Sequence, residues 1–323
     1  MSGMKRALIT GISGQDGSYL AQLLISKGYE VWGLLRRHSV PENQTSRLEA
    51  IGILDDLKLV YGDMTDLPSL LHILKDINPD EIYNLAAQSH VRISFDQPAF
   101  TTHTDAVGVL NLLEGVRLMC PNARMYQAGS SEMFGNESDP DGFRRETTLM
   151  RPVSPYGCAK LYAFNLCRTY RSSYKLFIAN GILFNHESPR RGLNFVTNKV
   201  VDGAIKIHKG MARELALGNL NATRDWGHAK DYVRAMWMML QQDEPDDFVC
   251  AMGESHSIKE LCAEVFGQLE IDYREYVIMD EKYLRPTELN DLKGDSSKLR
   301  RTLGWEPEYT FKSMIKEMVE ARL

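Results

Sequence analysis

Along the first half of the chain, short and nearly unbroken apolar runs such as Ala7-Leu8-Ile9 and Ile82-Tyr83-Asn84-Leu85 alternate with stretches whose apolar residues recur every three or four positions. The runs suit strands buried on both faces, and the stretches suit amphipathic helices. This pattern predicts strands over 6–10, 30–35, 57–61, 81–85 and 124–128, and helices over 15–27, 67–77 and 99–119. Strands and helices in strict alternation build a parallel α/β sheet, whose ligands sit beyond the carboxyl ends of the strands. From about Asn185 the pattern loosens into irregular segments between helices over 196–209, 231–241, 258–269 and 311–321. Two parts are therefore expected: 1–184 holding a nucleotide, and 185–323 facing mainly the substrate, with some segments returning to the first part.

Composition narrows the function. The 323 residues are 43% hydrophobic and 25% charged, as in an ordinary globular protein. The formal net charge of -5 supplies no positive field for a nucleic-acid backbone or an anionic bilayer. The five cysteines are scattered and form no C-x-x-C pair, so neither a metal site nor a disulfide framework is expected. No apolar run approaches the ~18 residues of a membrane span and no signal-peptide core follows Lys5 and Arg6, so a reducing cytoplasm is the expected compartment.

The candidate chemistry begins at Gly11-Ile12-Ser13-Gly14-Gln15-Asp16-Gly17, between the first strand and the first helix. Glycines there let the backbone approach a pyrophosphate, whose charge meets unpaired amides at the helix amino terminus. This makes the fold Rossmann-like, a doubly wound sheet with a smaller α/β domain for the substrate. After the second strand come Arg36 and Arg37, where a site for NAD would more often carry an acid for the ribose hydroxyls. Two guanidiniums favour a 2'-phosphate, hence NADP. Asp63, after the third strand, reads either as an adenine or ribose contact or as a turn former.

Tyr156 and Lys160 are four apart on a helix expected to start after Pro155, so they share a face. A phenol with an ordinary pKa near 10 needs about 4 kcal/mol of help to ionise at neutral pH, and an ammonium ~4 Å away at an effective dielectric of ~20 supplies about that much. Ser130-Ser131-Glu132 leave the fifth strand at the same rim. Ser130, Tyr156 and Lys160 are the parts needed to exchange a hydride between a secondary alcohol and nicotinamide. Glu132 adds a carboxylate that a simple dehydrogenase does not require. Once carbon 4 of a hexose is a ketone, the proton on carbon 5 is acidic enough for such a base, and water can leave from carbons 5 and 6.

These residues resemble the extended short-chain dehydrogenase/reductase family across essentially the whole chain. The strings Gly14-Gln15-Asp16-Gly17-Ser18-Tyr19-Leu20, Asn84-Leu85-Ala86-Ala87-Gln88-Ser89-His90, Gly181 to Gly192, Arg224-Asp225-Trp226-Gly227 and Arg285-Pro286-Thr287-Glu288 are similar to its GDP-mannose 4,6-dehydratase branch. The resemblance implies a GDP-mannose substrate and a dinucleotide held by Gly11, Ser13, Gly14, Gln15, Asp16, Gly17, Arg36, Arg37, Asp63, Met64, Leu85, Ala86, Ala87, Ser89, Tyr156, Lys160, Leu183, His186 and Arg191. His186 also reads as a structural histidine. Substrate contacts are implied for Ser89, Ser130, Ser131, Glu132, Asn185, Val196, Lys199, Gly218, Arg224, Arg285 and Glu288. The resemblance further implies a homotetramer in which the loop from Arg36 to Arg47 reaches a neighbouring subunit's cofactor site. Position 130 carries serine where many relatives have threonine, which keeps the hydroxyl and loses a rotamer-limiting methyl. Two neighbours in chemistry share the reactive set, a GDP-4-keto-6-deoxymannose reductase and a dehydratase for GDP-manno-heptose. A non-catalytic nucleotide sensor would have no use for the intact reactive set.

Overall fold

The computed structural model describes residues 3–37, 44–283, 287, 289 and 291–323. Seven parallel strands form one sheet, in the edge-to-edge order Asp247–Cys250, Ile178–Leu183, Arg124–Ala128, Glu81–Asn84, Arg6–Thr10, Glu30–Leu35 and Leu57–Tyr61. Chain order reverses between Arg6–Thr10 and Glu81–Asn84, which opens a crevice beyond the carboxyl ends of those two strands. Helices Gln15–Ser26 and Ala229–Met239 pack against each other over one face, burying Tyr19, Leu20, Leu24, Tyr232 and Met236. Helices Leu67–Ile77, Gly108–Met119 and Pro155–Tyr174 cover the other, burying Leu70, Leu74, Leu112, Val116 and Ala163.

The five expected strands form, and the sheet contains two more. Both additional strands carry a polar residue in the interior: Asn180 Nδ2 donates to Asp247 Oδ1 at 2.8 Å, across a pair aligned in the parallel register. Asp247 also accepts from Arg171. Such cross-strand pairs are invisible to a pattern that tests only for apolar runs.

The helix expected over 99–119 is interrupted. It begins as Pro98–Thr102, widens into a π turn over His103–Val107, and resumes as Gly108–Met119. The backbone stays right-handed helical on both sides of the turn, at Thr102 and Gly108. Helix Pro155–Tyr174 begins at Pro155 itself, with Ser154 Oγ accepting the Gly157 amide at 3.0 Å. Proline at the first position needs no amide partner there and presets the backbone angle.

Helices Val196–His208, Ile258–Gly267 and Phe311–Glu320 gather a separate apolar core from Val200, Val201, Leu261, Phe266, Met314 and Met318. Between the two cores, strand Asn185–Glu187 pairs in parallel with Trp226–His228 and forms one wall of the crevice.

Candidate active site

A cleft of about 590 Å³ opens at the chain reversal. Four consecutive strand ends deliver its floor: Gly11 after Thr10, Leu85 to Ala87 after Asn84, Gly129 to Glu132 after Ala128, and Leu183 to Asn185 at the end of the sixth strand. At Gly11 the backbone is left-handed with φ +70°, and a Cβ there would lie 2.9 Å from the Ala86 amide nitrogen. A Cβ at Gly17 would lie 2.4 Å from the Gly11 carbonyl, so the turn closes on its own helix only with glycine. Gly14 opens helix Gln15–Ser26 with no side-chain cap, which leaves amides of the first turn directed at the cleft.

That turn is tied to the opposite wall. Ser188 Oγ donates to Gln15 Oε1 at 2.8 Å, and Gln15 Nε2 donates to the His186 carbonyl at 3.1 Å. His186 Nε2 meets Asp16 Oδ2 at 2.7 Å, and its Nδ1 meets the Phe184 carbonyl at 2.8 Å. The pair raises the histidine's pKa and lowers the aspartate's, each against the opposing effect of burial. With both ring nitrogens engaged and the ring stacked on Tyr232, His186 anchors the wall that faces the cleft.

Of the residues singled out for a dinucleotide, Gly11, Ser13, Gly14, Gln15, Asp16, Gly17, Leu85, Ala86, Ala87, Ser89, Tyr156, Lys160, Leu183, His186 and Arg191 line the cleft. Arg36 and Arg37 stand outside its lining, over the rings of Phe100 and Tyr61 at 5.6 and 5.1 Å. Met64 is buried, and its carbonyl accepts from Asn111 Nδ2 at 2.9 Å. Asp63 Oδ1 accepts from the amide and the hydroxyl of Thr65 at 2.8 and 2.7 Å, the hydrogen bonding of a turn former. Arg47, at the end of the loop expected to reach a neighbour, donates to its own chain's Ser13 and Arg190 carbonyls at 2.8 and 3.1 Å. Positions 38–43 of that loop, together with Arg285 and Glu288, lie outside the described residues.

Ser130, Glu132, Tyr156 and Lys160 are brought together in the cleft, and all four are buried. Ser130 Oγ accepts the Glu132 amide at 3.2 Å, which fixes the short turn Ser131–Met133 and sets the carboxylate beside the serine. Lys160 Nζ donates to the Ala128 carbonyl at 3.0 Å and lies 5.7 Å from the centre of the Tyr156 ring. Tyr156 is held above its ordinary value, first by burial and next by the negative charge of Asp105, while a hydrogen bond with Ser130 acts the other way. Burial also lowers the pKa of Lys160, and Asp105 opposes that.

Asp105 is the residue that sequence reasoning missed. It sits in the π turn, fully buried, against the helix that carries Tyr156 and Lys160. One carboxylate oxygen accepts the Gln88 amide at 2.8 Å, and the other has no hydrogen-bond partner among the described residues. Burial pushes its pKa up to about 6. A π turn re-aims side chains relative to regular helix spacing, and such turns are frequent at functional sites; only the helix-length apolar pattern was legible beforehand.

Of the residues expected to meet a substrate, Ser89, Ser131, Asn185, Val196, Lys199, Gly218 and Arg224 line the cleft. Lys199 Nζ donates to the Ala216 carbonyl at 2.7 Å and sits 3.4 Å from the centre of the Tyr283 ring. Arg224 donates to the Thr223 and Leu289 carbonyls at 2.7 and 2.9 Å. The next residue, Asp225, is fully buried and accepts the amides of Met252, Gly253 and Gly294 at 2.8, 2.9 and 3.2 Å, so it ties two segments remote in sequence together behind Arg224. Arg191 pairs with Glu187 at 3.0 Å and lies over the Phe195 ring at 3.5 Å. His90, Arg92, Asn194, Phe195 and Tyr283 also line the cleft and were not expected there.

No group of three or more metal-binding side chains occurs among the described residues, and no helix among them is long and apolar enough to cross a membrane.

The chain was compared with known proteins. Residues 8–318 match the family model described as GDP-mannose 4,6 dehydratase. A protein of that name from Cricetulus griseus is 47% identical over 342 residues, covering 98% of this chain and 91% of the relative. GDP-mannose 4,6 dehydratase 1 of Arabidopsis thaliana is 49% identical over 329 residues, covering 99% of this chain and 90% of the relative. Among solved structures, the dTDP-glucose 4,6-dehydratase of Bacillus anthracis in complex with NAD is 21% identical, superposes with a TM-score of 0.84, and covers 98% of this chain and 96% of that one. The structural likeness restates the fold, whereas the full-length sequence matches identify the lineage: the chain belongs to the GDP-mannose 4,6 dehydratase family.

Proposed function

We propose that this chain converts GDP-D-mannose to GDP-4-dehydro-6-deoxy-D-mannose and water, with NADP as its resident cofactor. The observation that carries the reading is Glu132, a buried carboxylate in the same cleft as Ser130, Tyr156 and Lys160. A glycine turn that tolerates no Cβ, followed by a helix start without a side-chain cap, fits a pyrophosphate. When bound, the dinucleotide holds the electron pair taken from carbon 4 until it is returned at carbon 6. Support for NADP over NAD comes from Arg36 and Arg37 beyond the second strand, where a ribose would extend and where an NAD site usually presents a carboxylate.

The chain's own groups divide the work by chemistry. Tyr156 Oη takes the proton from the carbon 4 hydroxyl, and Ser130 Oγ hydrogen-bonds the oxygen that becomes a carbonyl. Lys160 provides the positive charge nearest the phenol on its own helix. Glu132 then removes the carbon 5 proton, now α to a ketone, and returns it to the departing carbon 6 hydroxyl as water leaves. Arg224 and Lys199 supply charge for the diphosphate on the opposite wall, with Asn185 and Arg191 between the two halves. In this reading residues 1–184 form the dinucleotide part and residues 185–323 mainly the sugar-nucleotide part, with helix Ala229–Met239 and strand Asp247–Cys250 returning to the sheet. The assembly is a homotetramer, whose dissociation on dilution would be followed by light scattering.

Purified protein incubated with GDP-mannose, without added reductant, should release a product lighter by one water with no net change in absorbance at 340 nm. Stoichiometric consumption of NADPH would replace this reading with that of a reductase.

A further inference from the structure

Three buried polar side chains take no part in the chemistry above. Thr10, Asn84 and Gln127 lie on three adjacent strands, in register with one another, and none is more than 1% exposed. Buried strand positions ordinarily favour apolar residues, and a run of three polar ones directly beneath a cleft needs a reason.

Their hydrogen bonds form one directed chain. The Leu85 and Ala86 amides both donate to Thr10 Oγ1 at 3.0 Å. With its acceptor capacity filled, the hydroxyl has one proton left, and it donates to Asn84 Oδ1 at 2.6 Å. That bond fixes which way the Asn84 amide faces, so Asn84 Nδ2 donates to Gln127 Oε1 at 2.8 Å. Gln127 is oriented in the same way, and its Nε2 donates to the Ala128 carbonyl at 3.1 Å. The carbonyl's other donor is Lys160 Nζ at 3.0 Å. No member can flip without breaking two bonds, and dipoles aligned head to tail reinforce one another in a low-dielectric interior.

We infer that Thr10, Asn84 and Gln127 are positioning residues that set the location of the Lys160 ammonium relative to the Leu85–Ala86 turn of the cofactor cleft. The two ends of the chain are functional surfaces: Leu85 and Ala86 line the cleft, and so does Lys160. The groups that also face Lys160 are Asp105 from the π turn and Tyr156 and Cys167 from its own helix. Strand Arg124–Ala128 meets it through the Ala128 carbonyl, which also accepts from the Gln127 amide. A carbonyl held toward Nζ favours the ammonium, so loosening it makes the lysine lose its proton at lower pH.

The inference rests on the dehydratase reading for its kinetic assay. Thr10→Val, Gln127→Met and the double variant are compared with the parent for water loss from GDP-mannose as a function of pH. Each single variant is expected to lower kcat about 10-fold and to move the alkaline limb of the profile down by about one pH unit. The double variant should be no worse than the poorer single, since both cut the same chain. Thr10→Ser, which keeps the hydroxyl, should recover most of the loss. Independent losses that multiply, or a limb that stays in place while kcat falls, would reduce these residues to ordinary core polarity and overturn the inference. Amide hydrogen exchange provides an arm free of turnover: Gln127→Met should accelerate exchange at Leu85 and Ala86, which the chain reaches through Asn84 and Thr10, and unchanged exchange there would also overturn it. A parent protein that removes no water from GDP-mannose refutes the dehydratase reading alone and leaves the exchange result to decide this one.

Discussion

Replacing Glu132 with glutamine separates the two halves of the proposed reaction. Glutamine keeps the size of the side chain in a buried position, and the Ser130 bond to the residue 132 amide does not depend on the side chain. What disappears is the base. General-base contributions of ~10²–10⁴ place the cost to elimination at about 3–5 kcal/mol. The same change acts oppositely on the first step. The Glu132 charge is one of the influences holding the Tyr156 phenol above its ordinary value, so its removal should let Tyr156 ionise at lower pH. Oxidation at carbon 4 should therefore persist, with the acidic limb of its pH profile shifted downward, while water loss falls at least ~100-fold. Stopped-flow absorbance at 340 nm after mixing with GDP-mannose would show a single rise that fails to decay, and mass spectrometry would find no dehydrated product. Dehydration within 10-fold of the parent, or no rise at 340 nm, would refute the assignment of Glu132 as the base.

Two further changes test the flanks of the site. Arg36→Glu combined with Arg37→Ala should weaken NADP binding by at least ~10-fold and leave NAD binding equal or stronger, measured by fluorescence titration; equal losses for both cofactors would remove the arginines from the 2'-phosphate. Asp225→Asn should destabilise the protein by ~2–6 kcal/mol in thermal or denaturant unfolding at mildly acidic pH, because the two amides that donate to Oδ2 lose their acceptor. Burial raises the Asp225 carboxyl to about 7, so the native state binds a proton that the unfolded chain has released above about 4. The parent's advantage from this group is therefore complete at low pH and lost as pH rises through about 7, a contribution of up to ~4 kcal/mol. The gap between parent and variant should narrow over that range; a gap that widens would reverse the sign.

The amino-acid sequence alone determined the parallel sheet, because strands buried on both faces and helices buried on one leave distinct periodic signatures. It also singled out the glycine turn and the proposed reactive set Ser130, Glu132, Tyr156 and Lys160, because each lies at a short, fixed distance from a strand end or on one helix face. Four strand ends meeting at a chain reversal then bring these residues into one cleft. Tertiary structure decided what local spacing could not. The Lys160 ammonium meets the Ala128 carbonyl, contributed by a strand 32 residues away, a partner that helical spacing to Tyr156 does not reveal. The Asp105 carboxylate reaches that neighbourhood from a π turn within what reads as uninterrupted helix. Asn180 donates to Asp247 across two strands that look too polar to be buried, and Asp225 joins segments remote in sequence. In every case the deciding quantity is the electrostatic environment of a buried polar group, which depends on partners far away along the chain and close in space.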